Sequence, residues 1–312
     1  MAVAVRPPSV PALPLLDGVE IPAIGYGVGT AWYKAAGTER ENALIESVQA
    51  ALDAGYRHID EAEMYANEAV SGKAICDWLR RTDTPRSELF ITSKVMSVDD
   101  PGVEAMCRQS LERMGLEYFD LYLVHAPFNP DGTPFDMKLL DVWRRMEDLV
   151  DKKLVRAIGV SNWRICDLEE IFADARIKPV CNQVEAHPYL QQPGLLRWCQ
   201  DRDVLVTAYC PLGPLSQEQL RLGPVDEHVE RAAQRLGKTA AQVLLRWSLQ
   251  SGRGVVTTTS RPDRLREFLG VFDFELSGEE VAAISAAGAS EPRRCFWTQC
   301  TQFPADPTKA DE

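Results

Sequence analysis

The chain has 312 residues, of which 45% are hydrophobic and 26% are charged, and its formal net charge is −12. This composition is typical of a globular protein, and the acidic charge argues against binding to nucleic acid or to a membrane surface. Because no run of eighteen apolar residues and no targeting signal is present, we expect a cytoplasmic protein without a membrane partner.

The first predicted element is a β-hairpin, since Asp17-Gly18 stands between the apolar runs of residues 14–22. Beyond it, short apolar strands alternate with segments whose apolar residues recur at helical spacing. The predicted strands are 23–25, 57–59, 89–93, 119–124, 155–160, 180–184, 204–208 and 254–257. The predicted helices are 39–54, 69–81, 103–114, 139–151, 165–173, 194–201, 227–236, 240–251, 263–269 and 278–286.

Eight apolar strands separated by helices predict an α/β fold, which we expect to be a closed (β/α)8 TIM barrel. The glycines of residues 25–29 do not fit the spacing of a dinucleotide-binding turn, which disfavours an open doubly wound sheet. No linker divides the chain, so we predict a single domain over residues 1–312. It would have an N-terminal arm at 1–14 and a C-terminal substrate loop and tail at 288–312.

Polar residues follow the carboxyl ends of successive predicted strands, and Tyr65 lies in the turn beyond the second strand. Any one of them could simply cap a strand or the next helix. Their recurrence indicates a common site, because the strand ends of a parallel barrel meet at one mouth. The residues at these ends are Asp60, Lys94, His125, Ser161, Asn162, Gln183, Tyr209, Thr258 and Thr259.

The first of these residues suggest a site that delivers a proton. A tyrosine has an ordinary pKa near ~10, which is too high for an efficient acid at neutral pH. Lys94 is expected to lower the pKa of Tyr65, and Asp60 to keep Lys94 charged and fixed. His125 can donate a hydrogen bond to an oxygen on which negative charge builds. The eight cysteines form no CxxC pair, so we expect free thiols and no metal site.

Six motifs resemble those of the aldo-keto reductase superfamily and occur in the same order. They are DAGYRHIDEAEMYANE at 53–68, ITSKV at 91–95, DLYLVH at 120–125, IGVSNW at 158–163, NQVEAHP at 182–188 and YCPLG at 209–213. The resemblance implies an NAD(P)(H)-dependent carbonyl reductase in which Tyr65 is the general acid and Lys94 tunes it. It further implies that Asp60 pairs with Lys94 and that His125 orients the carbonyl group.

The same resemblance implies a cofactor at the barrel mouth, with NADPH favoured and NADH left open. Many family members carry lysine and serine where this chain has Thr258 and Thr259, while Arg264 and Glu267 are kept. The lost lysine is the reason for leaving NADH open. By resemblance, Ser161, Asn162 and Gln183 bind the carboxamide and Tyr209 stacks on the nicotinamide. The full set of implied cofactor contacts is Thr30, Ser161, Asn162, Gln183, Tyr209, Leu212, Thr258, Thr259, Arg264 and Glu267.

Within the superfamily, the chain looks most similar to fungal members that reduce ketones, including conjugated polyketone and ketopantoyl-lactone reductases. We expect a small-molecule carbonyl substrate in an apolar pocket, and a monomer, with a dimer left open. Two other functions stay open, an NADPH-binding regulatory subunit with little turnover and an NADH-preferring alcohol dehydrogenase. A barrel hydrolase is disfavoured, because the sequence offers neither a metal cluster nor a suitable pair of acids. The predicted pocket residues are Trp32, Phe128, Trp163, Phe296 and Trp297.

Overall fold

The computed structural model describes residues 10–16, 18–298, 300 and 303. In these residues a two-stranded antiparallel hairpin precedes eight parallel strands that close into a barrel, so the expected fold is confirmed. Asp17 of the predicted hairpin turn and most of the predicted N-terminal arm lie outside the described residues. The prediction of one domain over residues 1–312 stays a prediction.

The eight barrel strands follow one another around the barrel in chain order. The last strand closes the ring by pairing with the first, with Val255 opposite Ile24. The hairpin strands are β1 (Ala12–Pro14) and β2 (Glu20–Pro22). The barrel strands are β3 (Ile24–Gly27), β4 (His58–Asp60), β5 (Phe90–Val95), β6 (Phe119–Val124), β7 (Val155–Ser161), β8 (Cys181–Glu185), β9 (Leu205–Tyr209) and β10 (Gly254–Thr257).

The helices end where the sequence supplies capping residues. Gly55 closes the first helix in the left-handed conformation, and the Thr239 and Ser277 side chains each accept an amide hydrogen bond at a helix start. The helices are α1 (Glu41–Ala54), α2 (Glu68–Thr82), α3 (Val103–Met114), α4 (Leu139–Asp151), α5 (Ile165–Phe172), α6 (Pro193–Gln200), α7 (Gly213–Ser216), α8 (Val225–Leu236), α9 (Ala240–Gln250), α10 (Pro262–Leu269) and α11 (Gly278–Ala289).

Helix α11 continues to Ala289, so the C-terminal loop begins slightly later than the predicted residue 288. Gly288 does not end the helix. A Cβ at this position would lie 1.9 Å from the carbonyl oxygen of Pro188, so the glycine serves a close contact between helix and loop.

The hairpin closes the amino-terminal end of the barrel. Leu15 and Ile21 pack against Leu121 and Leu123, which alternate along β6 with residues that face the surrounding helices. Because this end is filled with apolar side chains, the opposite end, where the strands finish, is left for polar groups.

No helix in the described residues is long and apolar enough to cross a membrane. All eight cysteines lie among the described residues, and each carries a free thiol.

Candidate active site

Lys94 lies at the centre of the barrel mouth, fully buried near the end of β5. Its Nζ donates to Asp60 Oδ1 at 2.5 Å, to the carbonyl oxygen of Glu61 at 2.9 Å and to Tyr65 Oη at 3.1 Å. Asp60 ends β4, and Tyr65 ends the one-turn 3₁₀ helix Glu63–Tyr65 that follows it. The ammonium group has three donors, and each of them has an acceptor here.

His125 completes the group as the first residue after β6. Its ring lies 5.7 Å from that of Tyr65, at an interplanar angle of 84°. Backbone contacts fix its position, because its amide donates to the carbonyl of Val95 and its carbonyl accepts from Asn162 Nδ2. Burial, reinforced by the charge of Lys94, lowers the pKa of His125 well below its ordinary value. The imidazole is therefore neutral at physiological pH and can act as a hydrogen-bond donor.

The pKa of Tyr65 differs from the expectation. Desolvation raises this pKa to about 12, and the opposing effect of Lys94 is smaller. Lys94 does lower this pKa, as its charge predicts, but the loss of hydration of a buried phenolate outweighs one nearby cation, so the net shift is upward. Lys94 itself remains charged: burial alone would lower its pKa, but Asp60 and Tyr65 raise it above the ordinary value.

The residues expected to bind the nicotinamide form one hydrogen-bonded network. Gln183 Nε2 donates to Asp60 Oδ2 at 2.7 Å, and Ser161 Oγ donates to the Gln183 carbonyl at 2.7 Å. Asn162 donates to Ser161 Oγ at 3.1 Å and accepts from Tyr209 Oη at 2.8 Å. The network connects the Lys94–Asp60 pair to the half-buried ring of Tyr209.

The other implied cofactor contacts lie on loops and on the first turns of helices. Thr259 is buried and its Oγ1 accepts from the amide of Arg261 at 3.0 Å, while Arg264 is exposed in the first turn of α10. Glu267 already accepts a hydrogen bond from Thr239 at the start of α9. Thr30 is exposed, Leu212 is half-buried beside α7, and Thr258 follows β10.

The predicted pocket residues fall into two groups. Trp297 lies against both the His125 ring and Phe128, with ring centroids 6.2 and 5.4 Å apart, and Phe296 lies 5.6 Å from the ring of Tyr209. Trp32 lies in the turn beyond β3 and is buried, with its Nε1 donating to Tyr26 Oη, and Trp163 is almost fully buried.

Two residues beside the acid were not identified from the sequence. A Cβ on Gly29 would lie 2.8 Å from Tyr65 Cζ, so this glycine lets the Tyr65 ring approach the backbone. Glu63 accepts hydrogen bonds from Met96 and Ser97, which follow Lys94. In the sequence, Gly29 stands out only as part of a glycine run that does not fit a dinucleotide-binding turn. No sequence pattern indicates the partners of Glu63.

One cluster of possible metal ligands lies near the C-terminal loop. Donor atoms of Glu185, His187 and Cys295 lie within 4.8 Å of one another. However, Glu185 Oε1 already accepts from His187 and from the Cys295 amide, and Oε2 accepts from the Phe296 amide. These contacts fully account for the buried carboxylate, and they attach the C-terminal loop to β8.

Comparison with known proteins gives consistent matches over most of the chain. The model of a family described as "Aldo/keto reductase family" matches residues 23–289. The "NAD/NADP-dependent indole-3-acetaldehyde reductase" of Schizosaccharomyces pombe is 38% identical, over 89% of this chain and 96% of that protein. The "NADPH-dependent alpha-keto amide reductase" of Saccharomyces cerevisiae is 37% identical, over 91% and 93%. A solved aldo/keto reductase structure from Brucella melitensis matches with a TM-score of 0.76 at 34% identity, covering 89% of this chain and 100% of that one.

Proposed function

The chain belongs to the aldo/keto reductase family, and from this premise we propose that it reduces a small aldehyde or ketone to the alcohol with NADPH. The observation that carries the proposal is the contact of Lys94 Nζ with both Asp60 and Tyr65 Oη. The similarity to fungal members seen in the motifs agrees with the yeast relatives.

The residues at the strand ends fit a nicotinamide cofactor by their chemistry. Ser161, Asn162 and Gln183 offer the hydroxyl and amide groups that a carboxamide requires, and Tyr209 offers an aromatic ring beside them. Arg264 is an exposed cation in the first turn of α10, suited to the 2′-phosphate that distinguishes NADPH from NADH. When bound, the cofactor supplies the hydride.

The protein's own groups supply the proton. Tyr65 keeps its phenolic proton at neutral pH, and Lys94 stabilises the phenolate once the proton has left. Asp60 and Gln183 hold Lys94 in place, since both oxygens of the carboxylate are engaged. Neutral His125 donates a hydrogen bond to the carbonyl oxygen and so orients it toward Tyr65.

The substrate is proposed to be a carbonyl compound with an apolar group next to the reacting carbon. Trp297 and Phe128 lie beside His125, and Phe296 lies beside Tyr209, so aromatic surface is close to the proton donor. The name of the Schizosaccharomyces pombe relative refers to an indole acetaldehyde, which carries an aromatic group next to its aldehyde and agrees with such a substrate.

Substituting Tyr65 by Phe tests the proposal, because only the hydroxyl group is removed. We expect a loss of at least about 10²-fold in kcat, the contribution typical of a general acid, while NADPH still quenches the protein fluorescence. The control is Tyr118→Phe, which changes a half-buried tyrosine that lies against Arg86. NADPH oxidation is followed with aldehydes, α-diketones and keto-lactones. A Tyr65→Phe variant with the normal rate shows that another group is the acid.

The same measurements distinguish the reductase from the second candidate function, an NADPH-binding subunit with little turnover. This alternative predicts tight NADPH binding by the wild-type protein without reduction of any carbonyl compound in the panel. The three contacts of the buried Lys94 favour the reductase, because binding alone does not require a charged lysine held next to a tyrosine hydroxyl.

A further inference from the structure

Glu63 joins the turn that carries Tyr65 to the loop that follows Lys94. Its Oε2 accepts from the backbone amides of Met96 at 2.9 Å and Ser97 at 3.3 Å, and its Oε1 accepts from Ser97 Oγ at 2.5 Å. Glu63 begins the 3₁₀ helix that ends at Tyr65, and Met96 is two residues beyond Lys94. One carboxylate therefore bridges the two segments that present the acid and its cation.

The remaining hydrogen bonds of this turn connect it to a different loop of the barrel mouth. Asn67 Nδ2 donates to the carbonyl groups of Val28 and Trp32, and the Tyr65 carbonyl accepts from Lys34, so these bonds attach the turn to the loop after β3. Among the described residues, no other hydrogen bond joins residues 62–66 to residues 95–98. Upstream of the turn, Glu61 is bonded to β5 through its amide, which donates to the Thr92 carbonyl, and through its own carbonyl, which accepts from Lys94. Beyond Glu61, the hydrogen bonds that join the Tyr65 turn to β5 and to the loop after it are those of the Glu63 carboxylate and the Lys94–Tyr65 contact.

The segment that Glu63 holds lies next to a hydrogen bond to the fourth residue of the site, His125. The Val95 carbonyl accepts from the amide of His125 at 2.8 Å, directly before Met96. Met96 is buried, so its amide is left without an acceptor if the carboxylate is removed, and an unpaired buried N–H destabilises the conformation that contains it. A shift of this loop changes the spacing of Tyr65, Lys94 and His125 together.

We propose that Glu63 is a positioning residue for proton transfer, which holds Tyr65 Oη within hydrogen-bond distance of Lys94 by anchoring the Tyr65 turn to the loop after β5. The inference rests on the proposed reductase function. It adds to that function a residue that touches neither substrate nor cofactor and acts through the geometry of the acid.

The test uses three single variants of the full chain, the Glu63→Ala/Ser97→Ala double variant and one control. Glu63→Ala removes all three hydrogen bonds, and Ser97→Ala removes one. Glu63→Gln keeps an oxygen for the two amides and turns its NH₂ group toward Ser97 Oγ. Glu112→Ala, on the exposed face of α3, is the control.

We expect Glu63→Ala to lower kcat by about 10- to 10²-fold, as misplacement of a reacting group does, with an unchanged NADPH dissociation constant. The solvent deuterium isotope effect on kcat should increase, because proton transfer becomes slower relative to the other steps. Glu63→Gln should restore most of the rate, and Ser97→Ala should have a small effect that disappears in the Glu63→Ala background.

Two kinetic results overturn the inference. One is a Glu63→Ala variant with normal kcat, and the other is a Glu63→Gln variant as slow as Glu63→Ala, which points to charge instead of position. A crystal structure of Glu63→Ala gives a readout independent of turnover, and a Tyr65–Lys94 contact that is still 3.1 Å long refutes the proposed role. Wild-type protein and Tyr65→Phe are assayed alongside. If neither reduces a carbonyl compound, the proposed function fails, and the crystal structure still decides the role of Glu63.

Discussion

Adding one methyl group beneath the Tyr65 ring should move the Tyr65 hydroxyl away from Lys94, and so separate the proposed acid from its cation. A Cβ at Gly29 would lie 2.8 Å from Cζ and 3.1 Å from both Cε atoms of Tyr65, so it meets the face of the ring at its hydroxyl end. The backbone of Gly29 is not in the left-handed region, so alanine introduces no backbone strain there. The steric contact with Tyr65 is therefore the main effect of Gly29→Ala.

The displacement can be worked out from these distances. An ordinary van der Waals contact begins at 3.4 Å, so the ring must move by about 0.6 Å if the backbone does not. Tyr65 Oη lies 3.1 Å from Lys94 Nζ, and a shift of about 0.4 Å along this line already brings the pair to the limit of a hydrogen bond. A hydrogen bond to a charged group contributes about 1.5–3 kcal/mol. Its loss in the transition state corresponds to a decrease of about 10- to 10²-fold in kcat.

The assay follows NADPH oxidation by an aldehyde substrate, with thermal unfolding measured on the same samples. Gly278→Ala is the matched control, because no atom lies within 4 Å of a Cβ at that position, at the start of α11. We expect the control to retain its rate, and Gly29→Ala to lose kcat without a comparable change in the Kd for NADPH. If Gly29→Ala keeps the wild-type kcat while Tyr65→Phe is inactive, the claim that the close packing of Tyr65 sets its reactivity is refuted.

Two further predictions concern stability and the cofactor. Burial lowers the pKa of His58 to about 4 in the folded protein. Below pH 6.5 the unfolded chain therefore binds more protons than the folded protein does. The free energy of unfolding should consequently fall by up to about 3 kcal/mol between pH 6.5 and 4. Urea unfolding at pH 7 and 4.5 checks this, and a His58→Gln variant with an equally steep pH dependence contradicts it. Arg264→Ala should weaken NADPH binding by about 10-fold, or ~1.4 kcal/mol, and leave NADH binding unchanged. The control is Arg266→Ala, which changes another exposed arginine of α10 and should alter the binding of neither cofactor. Equal losses for both cofactors contradict a contact with the 2′-phosphate.

The barrel and the grouping of its polar residues could be predicted because both depend on local pattern. Short apolar strands with helical segments between them specify parallel pairing, and parallel pairing brings Asp60, Lys94 and His125 to one end of the barrel whatever the details of the loops. The hairpin followed from its turn residues in the same way. These inferences needed the order of the elements and no long-range distance.

Contacts that depend on the closed shape of the barrel could not be predicted in this way. Gln183 reaches Asp60 across 123 residues of sequence, which requires the exact stagger of the strands. The indole N–H of Trp32 donates to Tyr26 Oη, a contact that no sequence pattern indicates, and the place of Trp32 in the substrate pocket stays a prediction. The bond between Glu63 and Ser97 depends in turn on two loop conformations that no strand pattern specifies.

The raised pKa of Tyr65 changes the role assigned to Lys94. A lysine that lowered the pKa to near neutrality would leave part of the tyrosine ionised and unable to donate its proton. With a pKa of about 12 the tyrosine stays protonated in the free protein, and Lys94 remains charged 3.1 Å away. The interaction between ammonium and phenolate is then strongest after proton transfer has begun, when negative charge appears on Tyr65 Oη. In the proposed reaction, Lys94 would therefore stabilise the transition state more than the resting state, which is the condition for an interaction to raise kcat.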